Sequence, residues 1–183
     1  MSRIPTYTTI DSAPEASRPL LNAVGKQLGV VPNIFRIVAN SPAALQGYVG
    51  LLGALGGGAL PAATHERIAL AVAETNGCEY CVSAHTYLGK HVAKLDETEM
   101  DANRSGTSND PKAAAAVRFA RKVLQLRGHV NDDDVKAVRN AGYDDAQIVE
   151  IVQHVALNVW TNYVNNVAQT VVDFPVQTLR KAG

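Results

Sequence analysis

The helical spacing of apolar residues is the feature that most constrains the fold of this chain. Apolar side chains recur every three or four positions through most of the sequence, and prolines and glycines stand near the ends of these stretches. This pattern is typical of amphipathic helices, and no stretch shows a convincing alternating strand pattern. The sequence therefore predicts an all-α fold.

Start and stop signals set the predicted helix bounds. Ser41-Pro42 favours an N-cap followed by a first helical turn, and Gly56-Gly57-Gly58 ends that helix. Asn76-Gly77 separates two helices that we expect to form a helical hairpin. The predicted helices are Pro14–Leu28, Asn33–Asn40, Pro42–Leu55, Pro61–Thr75, Cys78–Val92, Pro111–Leu126, Asp132–Asn140 and Asp144–Val172.

Composition argues against several classes of protein. The 183 residues carry 17 Lys and Arg against 17 Asp and Glu, so nothing favours a nucleic-acid or anionic-membrane partner. A chain without net charge lacks self-repulsion, which mildly favours self-association. No signal peptide and no run of about 18 apolar residues is present, so we expect a cytoplasmic protein. The length predicts one domain over 1–183.

Both cysteines of the chain lie in the segment from Glu66 to His85, ERIALAVAETNGCEYCVSAH. Two cysteines three residues apart close only a trivial loop, so a redox or metal role fits better than a structural disulfide. If a helix begins near Cys78, then Cys78, Cys81 and His85 share one face. A helix start also stabilises a thiolate, the reactive form of cysteine. The pair is thus interpretable as an attacking and a resolving thiol.

The spacing E-x11-C-x2-C-x3-H, from Glu66 to His85, resembles the signature of the alkyl hydroperoxidase D (AhpD)-like proteins of the carboxymuconolactone decarboxylase superfamily. The close match covers about thirty residues. The leading helices and the C-terminal NYVNNVAQTVVDFP segment are similar to the peroxidase-related branch. The resemblance implies an AhpD-like helical domain, with N-terminal helices at about 14–57, a redox core at about 61–92 and C-terminal helices at about 111–172.

The resemblance also implies residue roles. Cys81 would attack the peroxide and Cys78 would resolve the product into a disulfide. Glu66 would take a proton from Cys78, and His85 would relay a proton, through water. The implied partners are a hydroperoxide substrate, an external dithiol reductant such as a lipoyl-bearing protein, and further copies of the chain in a trimer or, preferably, a hexamer. No metal, haem or flavin is implied.

One residue departs from the family pattern. Tyr80 stands between the cysteines, where well-characterised hydroperoxidases have a histidine. This substitution leaves the detail of the proton relay open.

Several alternatives remain at this stage. The cysteines would be inert if they were simply small buried side chains. Cys78, Cys81, His85 and Glu66 would supply four zinc ligands, which would make the protein a zinc-binding or redox-sensing module without enzymatic activity. The superfamily name suggests a cofactor-independent decarboxylase or lactone-processing enzyme, but that chemistry does not need a C-x-x-C pair.

Polar and aromatic residues outside the motif have weaker assignments. His154, Asn158, Asn162 and Asn165 form a polar line on the last helix that would line the pocket, cross a subunit boundary or face water. Trp160 and Tyr163 are expected to anchor the core or an interface. Glu74 and Glu79 flank the turn and are expected to be solvated or capping. His65, His91 and His129 have no companion pattern, and we expect them to be exposed.

Overall fold

The computed structural model describes residues 2–180, and within this range it is helical and contains no strand. The predicted all-α class is confirmed. A short 3-10 turn, Glu15–Ser17, precedes the first α-helix. The α-helices are α1 Arg18–Leu28, α2 Asn33–Val38, α3 Pro42–Gly56, α4 Ala62–Thr75, α5 Glu79–His91, α6 Glu97–Arg104, α7 Pro111–Gln125, α8 Asp132–Asn140 and α9 Asp145–Ala168.

Side-chain caps fix the starts of several helices. The hydroxyl of Ser41 accepts the N–H of Ala44 at 3.2 Å, as the Ser-Pro pattern predicts. Asn131 and Asp144 each form a reciprocal capping box at the starts of α8 and α9. Such caps satisfy N–H groups that the first helical turn leaves without partners, and each contributes about 1 kcal/mol.

Helix α4 lies at the centre of the fold and packs against α5, α6, α7 and α9. Its segment 68–73 is buried all round, as its unbroken apolar run predicts. Ile68 and Val72 join a cluster with α7 and α9, whereas Ala73 joins a second cluster with α1, α2 and α5. Because α4 is held on all sides, it is a rigid base for Glu66, which it carries.

The first α-helix begins at Arg18 rather than at Pro14, and two further parts of the fold differ from the sequence-based prediction. Helix α6 lies in a stretch for which the sequence predicts no element. Helix α9 ends at Ala168 rather than near Val172, because Gln169 turns left-handed at φ 49°. The chain from 170 to 180 then continues without regular secondary structure, and its Asp173 carboxylate accepts the N–H of Asn33 at 2.8 Å.

Among the residues described, no helix has the length and apolar character needed to cross a membrane.

Candidate active site

The turn between α4 and α5 places the first cysteine at a helix start. Gly77 has a φ of +61°, a backbone conformation that suits glycine. Cys78 is the N-cap of α5, and its Sγ accepts the N–H of Cys81 at 3.4 Å. Both thiols are buried, with Cys78 inaccessible and Cys81 3% exposed. The predicted hairpin therefore holds two sulfurs side by side at the positive end of a helix dipole.

The two thiols differ sharply in acidity. The hydrogen bond from the Cys78 thiol, the charge of His85 and the amide of Asn165 lower the pKa of Cys81 to about 7 against the opposing effect of burial. The pKa of Cys78 is raised by that same hydrogen bond to Cys81 and by burial. The negative charge of the pair therefore resides on Cys81.

His85 and Glu66 form a second pair beside the thiols. His85 Nδ1 lies 2.8 Å from Glu66 Oε2, and the two side chains are 22% and 17% exposed. Burial opposes the charged form of His85, but the Glu66 charge, the hydrogen bond and the Cys81 charge together raise its pKa. Among the hydrogen bonds of the described residues, Glu66 contacts His85 and not Cys78, whereas the resemblance implies that Glu66 takes a proton from Cys78.

Helix α9 supplies the wall opposite the cysteines. Asn165 Nδ2 donates to Cys81 Sγ at 3.2 Å. Asn162 Oδ1 accepts from Asn76 Nδ2 at 2.9 Å, and Asn166 Nδ2 donates to the Asn76 carbonyl at 3.2 Å. The polar line on α9 thus reaches the thiol site through Asn165 and clamps the Asn76-Gly77 turn through its neighbours.

The part of the chain that the structure describes, residues 2–180, shows no group of three or more His, Cys, Asp or Glu side chains arranged to hold a metal ion. The zinc interpretation therefore has no geometric support in this region.

The model of the carboxymuconolactone decarboxylase family matches residues 42–122, a segment that contains the cysteines, His85 and Glu66. An AhpD-core, peroxidase-related protein from Ralstonia eutropha JMP134 superposes with a TM-score of 0.84 and 26% identity, over 94% of this chain and 92% of its own. The family match over residues 42–122 and this superposition support a place for the chain in the AhpD/carboxymuconolactone decarboxylase superfamily.

Two further solved structures share the AhpD-like fold. A peroxidase-related protein from Silicibacter sp. TM1040 superposes with a TM-score of 0.79 at 21% identity, over 92% of this chain and 89% of its own. A variant of the debrominase Bmp8, in complex with 2,3,4-tribromopyrrole, gives 0.77 at 17% identity, over 94% and 92%. No curated protein matches the chain significantly.

Tyr80 of this AhpD-like site contacts α2 and the C-terminal segment. Its hydroxyl accepts the N–H of Ile34 at 3.2 Å, and its ring meets Phe174 edge-on at 5.8 Å. Burial and the charge of Asp173 raise its pKa, so it stays neutral. The residue between the cysteines therefore packs α5 against α2 and the C-terminal segment.

Some residues near the site have positions that the sequence did not indicate. Burial raises the pKa of Tyr48 on α3, and the charges of the nearby Cys81 and Glu66 raise it further. His65, expected to be exposed, stacks on His154 with ring centroids 4.1 Å apart. Glu74, expected to be solvated or capping, is largely buried and pairs with Arg104 at 2.6 Å. No spacing rule links these residues, since each contact depends on packing between distant helices.

Two surface clefts lie apart from the cysteines. One, of 460 Å³, separates α5 from α6 and is lined by Tyr87, Lys90 and Arg104. The other, of 590 Å³, lies between the N-terminal segment and Arg36. Neither is lined by a cysteine, so the chemistry of the thiols belongs to the buried site between α4, α5 and α9.

Proposed function

We propose that this protein is a thiol-dependent peroxidase that reduces hydroperoxides through a Cys78/Cys81 dithiol–disulfide cycle. The observation that carries the proposal is the different bonding of the two sulfurs. Cys78 Sγ, at the N-cap of α5, accepts the N–H of Cys81 at 3.4 Å, whereas Cys81 Sγ accepts the amide of Asn165 at 3.2 Å. Cys81 is the acidic member, with a pKa of about 7, and Cys78 beside it stays protonated. An attacking thiolate and a protonated resolving thiol are the two groups that such a cycle requires.

The cycle balances with these groups alone and an external reductant. The Cys81 thiolate attacks the terminal oxygen of R–O–O–H, the O–O bond breaks, and the products are a Cys81 sulfenic acid and an alkoxide that takes up a proton. Cys78 then attacks the sulfenic sulfur and releases water as the disulfide forms. A dithiol reductant, for which a lipoyl-bearing protein is our candidate, returns both cysteines to thiols and leaves as a disulfide.

His85 would donate a proton in this cycle, and Glu66 would position His85 and keep it protonated. His85 lies one turn after Cys81, and Glu66 favours its protonated form. A protonated His85 is a suitable donor, directly or through a water molecule, to the alkoxide that leaves after attack. Glu66 then acts through His85 and is a positioning residue rather than a direct partner of Cys78.

The likeness to a debrominase favours a second candidate activity. The same two thiols hold the two electrons needed to replace a carbon–bromine bond by carbon–hydrogen. One thiol proton goes to the carbon, the other is released to solvent together with bromide, and a Cys78–Cys81 disulfide forms. The debrominase shares the fold over 94% of this chain. Bromopyrroles therefore belong beside peroxides in the first substrate panel.

The test is peroxide consumption by the wild type, Cys81→Ser and Cys78→Ser with a dithiol reductant. Hydrogen peroxide and an organic hydroperoxide are run in parallel. We expect Cys81→Ser to lose turnover, because no thiolate attacks the peroxide. Cys78→Ser should complete one turnover and then accumulate a sulfenic acid on Cys81, detectable by a dimedone adduct in mass spectrometry.

Equal and full activity in both serine variants would contradict the cycle. Disulfide formation that follows bromopyrrole but not peroxide would favour the second candidate. A reversible disulfide without turnover of either substrate would make the protein a redox relay or sensor.

A further inference from the structure

The Cys81 sulfur lies between two helices, and the second of them supplies a donor that the family motif does not contain. Asn165 of α9 is 84 positions from Cys81 and donates its Nδ2 to Sγ at 3.2 Å. Asn165 is 3% exposed, and its Oδ1 is buried without a hydrogen-bond partner among the described residues. Burying an amide with an unsatisfied oxygen costs free energy unless the interaction with sulfur compensates.

The neighbouring amide supports the same arrangement. Asn162 is fully buried, and its Oδ1 is fixed by Asn76 at the turn before Cys78. Its Nδ2 has no hydrogen-bond partner of normal geometry within residues 2–180, and it lies close enough to Cys81 to favour the thiolate. Two buried amides on successive turns of α9 therefore lie beside one sulfur, and Asn165 is the one that hydrogen-bonds to it.

The groups around Cys81 show which of them donates a hydrogen bond to its sulfur. The backbone N–H of Cys81 is already engaged by Cys78 Sγ. The remaining charged and titratable groups that face Cys81 are Cys78, His85 and Tyr48, with Glu66 behind His85. Beside these groups, Asn165 is the donor that keeps its hydrogen bond at any pH, because an amide does not titrate.

We propose that Asn165 is a catalytic residue whose amide donates a hydrogen bond to the Cys81 thiolate and holds the sulfur in place for attack. Asn162 is the positioning residue that ties this wall to the Asn76-Gly77 turn. The proposal deepens the proposed function and rests on it for the identity of the attacking thiol. It adds a residue of the last helix to a site otherwise built from one hairpin.

The experiment measures the thiolate without any peroxide. The rate of iodoacetamide reaction is followed against pH, and fragment mass spectrometry reports whether Cys78 or Cys81 is alkylated. The variants are Asn165→Leu, which keeps the size without a donor, and Asn165→Asp, which keeps the shape. Asn158→Leu is the matched control: Asn158 is also buried on α9, but its amide donates to the His154 carbonyl of its own helix at 2.8 Å.

We expect a midpoint near 7 for Cys81 in the wild type. Asn165→Leu should raise that midpoint by about one pH unit, so that about tenfold less thiolate is present below it. Asn165→Asp should raise it further, because a carboxylate repels the thiolate. Asn158→Leu should leave the midpoint unchanged.

An unchanged midpoint in a folded Asn165→Leu or Asn165→Asp variant would overturn the proposal, with folding checked by circular dichroism. The same shift in Asn158→Leu would also overturn it, since the effect would then be a general loss of packing. A midpoint shift without peroxide turnover in the wild type would support the role of Asn165 toward the thiolate while removing the peroxidase itself.

Discussion

His154 is a single buried residue that makes the free energy of unfolding depend on pH. The ring is buried on α9, stacks on His65, and has its Nε2 without a hydrogen-bond partner within residues 2–180. Burial and the nearby His65 and His85 lower its pKa from 6.5 to about 4, although Glu150 opposes them. The native protein therefore keeps His154 neutral where the unfolded chain protonates it.

We expect this residue to destabilise the protein in acid. Between pH 6.5 and about 4, His154 binds a proton in the unfolded state but not in the native state. The free energy of unfolding therefore falls as pH falls. One pKa unit corresponds to about 1.4 kcal/mol, which gives a loss of about 3 kcal/mol across that window. Urea unfolding of His154→Phe should show a smaller loss than the wild type over the same range. His129→Gln, at an exposed position, is the control and should follow the wild type; parallel curves for the wild type and His154→Phe would contradict the assignment.

The sequence predicted one half of the candidate site and not the other. Cys78, Cys81, His85 and Glu66 lie on two adjacent helices, so helical period and one short turn bring them together. Asn165 belongs to a helix that begins far along the chain, and its contact with Cys81 depends on how α9 packs. The spacing of the α9 amides predicted a shared face but left open whether that face met water, a second subunit or the site.

Among the helices, α6 is the one that the sequence did not predict. Its eight residues, ETEMDANR, are mostly polar and give little apolar period. The helix is stabilised by contacts that are distant in sequence: Met100 fits over Gly89, where a Cβ would lie 3.0 Å from its sulfur. Tertiary packing of this kind outweighs local propensity.

Glu99 connects α6 to the helix that carries Glu66. The carboxylate is 6% exposed, pairs with Arg67 at 2.7 Å, and accepts hydrogen bonds from Asn103, Ser108 and the Asn109 N–H. Burial alone would raise its pKa, but these hydrogen bonds lower it. Arg67 is thereby directed away from its neighbour Glu66, which is left to pair with His85.

We expect Glu99→Ala to cost about 3 kcal/mol of unfolding free energy, because it leaves Arg67 partly buried without its carboxylate. Denaturant unfolding at neutral pH measures the change. Glu97→Ala is the control on the same helix, since Glu97 is 82% exposed and its pair with Lys90 lies in water; we expect less than about 1 kcal/mol there. A cost below about 1 kcal/mol for Glu99→Ala would show that the Arg67 pair does not hold α6.

The whole molecule presents an apolar face that its own helices leave uncovered. Along α9 the exposed side chains Val149, Val152, Trp160, Tyr163 and Val167 follow a spacing of three and four with Ala156 between them. Trp160 meets Tyr48 of α3 at 5.2 Å, and Leu52 continues the exposed face on α3. Apolar side chains in one stripe are typical of contacts between subunits.

We propose that a second copy of the chain covers this face and that the protein assembles as a trimer or hexamer. The absence of net charge removes a barrier to association.

Light scattering after size exclusion should give a mass that is a multiple of the 19.4 kDa chain. Replacing Tyr163 and Val167 with glutamate should shift the protein to 19.4 kDa, because two carboxylates cannot be buried between subunits without partners. Val92→Glu, an equally exposed apolar position at the end of α5, should keep the wild-type mass. A monomeric wild type would show that these contacts between subunits do not form. A glutamate variant of unchanged mass would show that the contacts lie elsewhere on the surface. Because Tyr48 joins this face to the surroundings of Cys81, loss of assembly should also change the access of iodoacetamide to that thiol.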